Sequence, residues 1–193
     1  MTLVNSDKIP LGFLAPNFEL QGEDGKIYKL ADSKDKPGLL VIFTCNHCPY
    51  AQAAWPLIVD LYQKYKDQVD FVAINSNDSE QIPDDSVQKM SDLVIEYQVR
   101  FPYLVDIEQK VARAYQATCT PDIFLFKNLG EGQFELQYHG RINDNWQHPE
   151  LVTENNLDQA IHNVINDLDP ILNQHPSMGC SIKWKKMDIQ PGS

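Results

Sequence analysis

An uninterrupted apolar run, Leu39–Phe43, lies between the turn Lys36-Pro37-Gly38 and the motif Cys45-Asn46-His47-Cys48. A run without polar alternation suits a strand covered on both faces, and such strands belong to sheets flanked by helices. The sequence beyond it alternates accordingly. Ala51 to Tyr65 carries Ala54, Leu57, Ile58, Leu61 and Tyr65 at helical spacing, with Pro56 inside it predicting a kink. Val69–Ile74 reads as a strand, and Asp85 or Ser86 can cap a helix through about Val99. A short strand at 101–105, a helix at 107–115, and strands at 122–126 and 133–138 follow. A last helix begins at Thr153, carries Leu157, Ile161, Val164, Ile165 and Leu168, and stops at Asp169-Pro170. Upstream, Asp24-Gly25 between two short runs is a hairpin signal. The order predicts an α/β fold: a central mixed sheet, mostly parallel with an antiparallel edge, flanked by helices. One domain is expected over 1–193, with its core at about 10–168. Residues 170–193 read as an irregular tail, weakly basic around Lys183, Lys185 and Lys186.

Charge narrows the function. With 27 acidic against 16 basic residues the net charge is −11. Nucleic-acid backbones and anionic membrane surfaces need a cationic footprint, so neither is an expected partner. Leu39–Phe43 is far too short to span a bilayer, and the first residues lack a basic segment followed by an apolar one. A cytoplasmic protein is therefore expected. Four cysteines, Cys45, Cys48, Cys119 and Cys180, are too few for a disulfide scaffold. In a reducing compartment a close pair reads as redox-active or metal-binding.

Cys45 and Cys48 stand where a buried strand turns into a helix. The unpaired N–H groups and partial positive charge of a helix N-terminus favour thiolate over thiol, and His47 adds positive charge when protonated. The first cysteine is expected to project and attack, and the second to lie in the first turn, within disulfide reach. Two other readings compete. Both cysteines could be small core residues, although Asn46 and His47 sit badly in a core. Cys45, Cys48, His47 and Cys119 could hold a transition metal, but no second Cys-x-x-Cys or His pair completes a zinc site, and no metal is expected. A second constellation is Thr118-Cys119-Thr120-Pro121-Asp122, with Pro121 at a strand entrance, where a turn proline is the plain local reading. His139 and Arg141 read as solvated, Trp146, His148 and Pro149 as loop, Asp84 and Asp85 as an exposed helix start, and Asp106 and Glu108 as surface charges.

The sequence resembles the redoxin branch of the thioredoxin-like superfamily, which includes alkyl hydroperoxide reductase and peroxiredoxin-like proteins. The similarity rests on Ala15-Pro16-Asn17-Phe18 with Asp24-Gly25, on Phe43-Thr44-Cys45-Asn46-His47-Cys48-Pro49, and on Thr120-Pro121 before Phe124-Leu125-Phe126. It implies a thioredoxin-like fold and a thiol–disulfide oxidoreductase. Cys45 and Cys48 would be the redox pair, supported by Thr44, Asn46, His47, Pro49, Cys119, Thr120 and Pro121. The cofactor would be only the Cys45–Cys48 disulfide. The partners would be a protein or small-molecule disulfide or thiol and a thiol reductant. Thr120–Pro121 would be a cis peptide facing the pair, presenting backbone groups to an extended substrate segment. The pattern departs from the family in three places. Thr44 replaces the usual Trp, the strand beneath the pair has no acid, and Asp122 and Glu19 are left as candidate proton acceptors. Aligned as a peroxiredoxin, with Cys48-Pro49 as its reactive motif, the chain has Cys45 in place of the usual Thr, Val41 in place of Pro, and Pro121 near the usual Arg. A thiol peroxidase is thus one alternative, and a redox-sensing or metal-carrying module another. Cys180 lies in a tail whose Met178, Ile182 and Trp184 argue for docking, with Gly179 allowing a bend. It reads either as a third thiol at the site or as a packed residue.

Overall fold

A computed structural model of the chain describes residues 2–186. Its strands are β1 (Leu3–Asn5), β2 (Glu19–Gly22), β3 (Ile27–Lys29), β4 (Gly38–Phe43), β5 (Val69–Asn75), β6 (Tyr103–Val105), β7 (Cys119–Thr120), β8 (Asp122–Gly130), β9 (Gln133–His139) and β10 (Met178–Ser181). Its α-helices are α1 (Pro49–Tyr65), α2 (Val87–Glu96), α3 (Lys110–Tyr115) and α4 (Asn156–Ile165). Seven strands form a mixed sheet in the order β3-β2-β6-β5-β4-β8-β9. β4, β5 and β6 run parallel, and β8 lies antiparallel against β4.

β4 is buried at every position, as its unbroken apolar run requires. Its side chains alternate between two cores, as the two-residue period of a strand dictates. Leu40 and Ile42 pack with Trp55 and Ile58 of α1 and Leu157 and Ile161 of α4. Leu39, Val41 and Phe43 pack on the other face with Tyr115 of α3, Phe124 and Phe126. β4 thus delivers Cys45 at the carboxyl end of the central strand, where ligand sites of such sheets gather. α1 runs through Pro56 to Tyr65.

Several readings need correction. The tail is not irregular throughout. Residues 178–181 form β10, which pairs antiparallel with β1 on one side and β7 on the other. Beyond it, Lys183 O accepts from Asp78 N at 2.9 Å and Gln109 Nε2 at 2.8 Å, and Trp184 lies under the Arg113 guanidinium at 4.3 Å. Backbone groups, more than lysine charges, dock it. Residues 187–193 of the expected tail lie outside the described residues. His139 is buried, its Nε2 2.8 Å from Asp122 Oδ1 and its ring stacked on Phe124. Asp106 is buried as well, accepting from Ser76 Oγ and from Ala112 N of α3, both at 2.9 Å. Both read as solvated in the sequence because a polar side chain is solvated by default, and Asp122 and Ser76 lie 17 and 30 positions from them. Glu108 is exposed and pairs with Lys110.

Candidate active site

The turn from β4 into α1 is held from below. Cys48 is the N-cap of α1 and Pro49 its first residue, a position where the missing N–H of proline costs nothing. Asn46 fixes the loop between the cysteines. Its N–H donates to Asp85 Oδ1 at 2.7 Å, its amide to Asp84 O at 2.9 Å, and its Oδ1 accepts from Tyr103 Oη at 3.0 Å. Thr44 is buried and donates its backbone N–H to Ile74 O at 2.9 Å.

Across from this turn, Thr120–Pro121 is a cis peptide. Thr120 meets both sulfurs: its Oγ1 is 3.1 Å from Cys45 Sγ, and its carbonyl oxygen is 3.4 Å from Cys48 Sγ, from which it accepts when Cys48 is a thiol. Cys45, Cys48 and Cys180 pack in one cluster with Ala51. β10 brings Cys180 there, since its register sets Cys180 opposite Thr120. The backbone edge expected to receive an extended substrate is therefore taken by the chain's own β10. Cys119, in β7, is buried and donates to Pro121 O at 3.5 Å. Burial first, and then the Asp122 carboxylate, push its thiol pKa far up, so it is inert at neutral pH.

The two sulfurs of the pair differ in their surroundings. Neither Cys45 nor Cys48 is exposed. Burial raises the Cys45 thiol well above its ordinary value, and the hydrogen bond it gives Cys48 and the nearby Asp85 charge push it the same way. Cys48 is held down at about 5, first by the Cys45 thiol, with the Cys180 thiol and the Ala51 and Cys180 N–H groups adding to the effect against burial. Donors from the first turn of α1 and from β10 thus converge on Cys48, at the N-cap, and favour its ionised form.

Asp85 is the acid that sequence reasoning missed. It was read as an exposed helix start, yet it is buried, in a short turn after β5 that folds over the cysteine loop. It accepts from Asn46 N, from Asn77 Nδ2 at 2.7 Å, and pairs with His47 Nδ1 at 2.6 Å. The available signal was topological: loops after adjacent parallel strands converge, so an acid after β5 faces the turn after β4. Asp122 is engaged by His139 and Thr118 N, and Glu19 is exposed on β2 beside Lys29. The hydrogen bond to Asp85 raises the His47 pKa, and His47 Nε2 is buried without a partner. Burial opposes ionisation of Asp85, but its bonds to His47, Asn46 and Asn77 outweigh it and lower its pKa. One ligand atom each from Cys45, His47 and Asp85 lies within 4.8 Å of the others, a set able to hold a metal ion. Cys119 is outside it.

The dyad makes a titration prediction. His47 stabilises the fold below its ordinary 6.5 and loses that contribution as pH rises through its raised folded value. Asp85 stabilises above its ordinary 3.8 and loses that contribution as pH falls through its lowered folded value. Asp85→Asn is therefore expected to cost roughly 1–3 kcal/mol, most between those two values, and to return the His47 titration toward 6.5. Denaturant melts across pH and the His47 ring-proton shift check it. An unmoved His47 titration would count against the dyad.

A cleft of about 290 Å³ opens beside Pro121, lined among others by Tyr50, Leu57, Arg141, Trp146 and Met178 but by none of the cysteines. Residues 11–132 match the model of the AhpC/TSA family. The chain belongs to the AhpC/TSA family. This AhpC/TSA-family chain is 29% identical to the thiol-disulfide oxidoreductase ResA of Bacillus subtilis over 126 residues, 65% of this chain and 66% of that one. It is 37% identical to an uncharacterized conserved protein of Geobacillus kaustophilus, covering 100% of this chain and 99% of that one with a TM-score of 0.89. A hypothetical protein of Sinorhizobium meliloti 1021 is also 37% identical, with coverage of 94% and 98% and a TM-score of 0.87. A putative thiol:disulfide interchange protein of Chlorobium tepidum, 19% identical over 83% of this chain and 98% of that one at a TM-score of 0.60, shares the thioredoxin-like fold. β9, α4 and β10, with Cys180, lie beyond the matched family segment.

Proposed function

We propose that this AhpC/TSA-family chain is a thiol–disulfide oxidoreductase in which Cys48 attacks and Cys45 resolves. The observation that carries it is the placement of both sulfurs on the two oxygens of Thr120, across a cis peptide, at a strand-to-helix turn. The Cys48 thiolate attacks one sulfur of a substrate disulfide, a Cys48–substrate bond forms, and the other substrate sulfur leaves as a thiolate that takes a proton. Cys45 then loses its proton, with His47 and Asp85 beside it as the route outward, and attacks Cys48 Sγ. The second substrate thiol departs, the pair is left as the Cys45–Cys48 disulfide, and a thiol reductant regenerates it. The substrate is a protein or small-molecule disulfide, and the acidic surface disfavours anionic polymers as partners. Among the described residues no helix is long and apolar enough to cross a membrane.

The test is direct. Reduced protein mixed with an aromatic disulfide is expected to release thiol and to yield the Cys45–Cys48 disulfide on peptide mapping. A pair that stays reduced while the aromatic disulfide remains intact would overturn the assignment.

One observation favours the peroxidase reading: the low-pKa sulfur is the one followed by Pro49. Two arginines that could polarise a peroxide are held elsewhere, however. Arg141 is engaged by Asn156 and Glu154, and Arg113 by Trp184. Losing one such donor costs about 10²–10³ in rate. Hydrogen peroxide consumption is accordingly expected to be slower than disulfide exchange by at least about that factor. Comparable second-order rate constants in stopped-flow assays would reverse the ranking.

A further inference from the structure

β10 lies where an external substrate strand would add. It runs antiparallel to β7, sets Cys180 opposite Thr120, and lays its backbone directly on the cis peptide. Gly179 makes this approach possible: a Cβ there would stand 2.1 Å from Thr120 O and 3.1 Å from Pro121 N. The strand is fastened at both ends, by Ser177 N to Ser6 Oγ and Ser6 N to Ser177 O, and by Ile182 N to Thr118 O at 3.1 Å. In this position the Cys180 thiol contacts the Cys48 sulfur, the atom that the proposed function makes the point of attack. A strand on the substrate edge with a thiol against the attacking sulfur has the arrangement of a mixed-disulfide complex, supplied by the chain itself.

We propose that Cys180 is a third redox thiol of this site, and that the active-site disulfide interchanges between Cys45–Cys48 and Cys48–Cys180. The inference rests on the reading of Cys45 and Cys48 as a redox pair. The step conserves atoms and electrons. Cys180 loses its proton and its sulfur attacks Cys48 Sγ of the Cys45–Cys48 disulfide. The Cys48–Cys180 bond forms as the Cys45–Cys48 bond breaks, and Cys45 leaves with the electron pair and takes a proton. One disulfide and one thiol are present before and after, so no outside oxidant is needed for the interchange. Its consequence is that β10, when joined to Cys48, locks the substrate edge shut. When Cys45–Cys48 is the isomer, β10 is held only by hydrogen bonds and packing, and the thiol reductant can displace it.

Diamide, a thiol-specific oxidant, tests this on the full chain. In the Cys45→Ser protein, oxidation is expected to join Cys48 to Cys180 within one molecule. The denatured product should then titrate one thiol, Cys119, where the reduced protein titrates three. Peptide mapping without reduction identifies the bond. Dimers joined through Cys48, or three surviving thiols, would overturn the third-thiol assignment. Wild-type protein, acid-quenched during limiting oxidation, guards against a variant that fails to fold, and both isomers are expected in it. Complete absence of Cys48–Cys180 there would also refute the interchange. The Cys180→Ser protein separates the two proposals: if it forms no Cys45–Cys48 disulfide, the redox pair itself fails, whatever Cys180 does.

Discussion

Replacing Cys48 with serine is expected to reduce disulfide exchange to background and to abolish thiolate absorbance in the ultraviolet below about pH 8. A sulfur held at about 5 stays mostly ionised down to pH 5.5, whereas an ordinary thiol near 8.5 loses about 200-fold of its thiolate between pH 8 and 5.5. Exchange by the wild-type protein should therefore change less than about two-fold over that range if attack limits the rate. The gain is confined to acid conditions. Near pH 7 the larger thiolate population of an acidic sulfur is roughly cancelled by its lower intrinsic reactivity. Cys45→Ser keeps a hydroxyl donor beside Cys48, so the low titration should persist, and with Cys180 also replaced by serine substrate should accumulate as a mixed disulfide on Cys48. If the low titration instead survives in Cys48→Ser and vanishes in Cys45→Ser, the attacking sulfur is Cys45.

Gly179→Val is expected to be the most disruptive single change in the tail. The added Cβ meets Thr120 O at 2.1 Å and Thr120 C at 2.6 Å, backbone atoms that cannot rotate aside. Overpacking of this kind costs about 1–3 kcal/mol, equivalent to roughly 3–10 °C in melting temperature for a chain of this size. The strand must move off the cis peptide, so alkylation of Cys45 and Cys48 should accelerate at least about ten-fold, since local opening carries part of that free energy. Thermal melts and timed iodoacetamide labelling measure both. Unchanged labelling in a folded Gly179→Val protein would mean that β10 does not shield the sulfurs.

The sheet was legible because its signal is local. Leu39–Phe43 reads as a doubly covered strand from its own side chains, and the alternation of strands with helices follows from spacing alone. The motif Cys45–Cys48 was legible for the same reason. β10 was not, because Met178–Ser181 has no periodicity of its own and becomes a strand only through β1 and β7. Asp85 and His139 were misread because a charge is solvated by default, and the partners that bury them, His47 and Asp122, lie 38 and 17 positions away. The order of attack proposed above differs from the sequence expectation of Cys45, because helix position alone favours both cysteines. What separates them is which one receives the donors, and Cys180, one of those donors, is far off in the sequence.

The small sheet of β1, β10 and β7 also bears on the order of assembly. Its contacts join remote parts of the chain: Ser6 and Ser177 are 171 positions apart, and Thr120 and Cys180 are 60 apart. Closing such long loops carries an entropy cost that is recovered only when the rest of the fold holds the ends near each other, so these contacts form late. During refolding, the helix-flanked sheet should gain hydrogen-exchange protection while Cys45 and Cys48 still react with a labelling pulse. The redox centre is then the last part of the molecule to leave solvent, and a nascent chain meets cellular oxidants with its two working sulfurs uncovered.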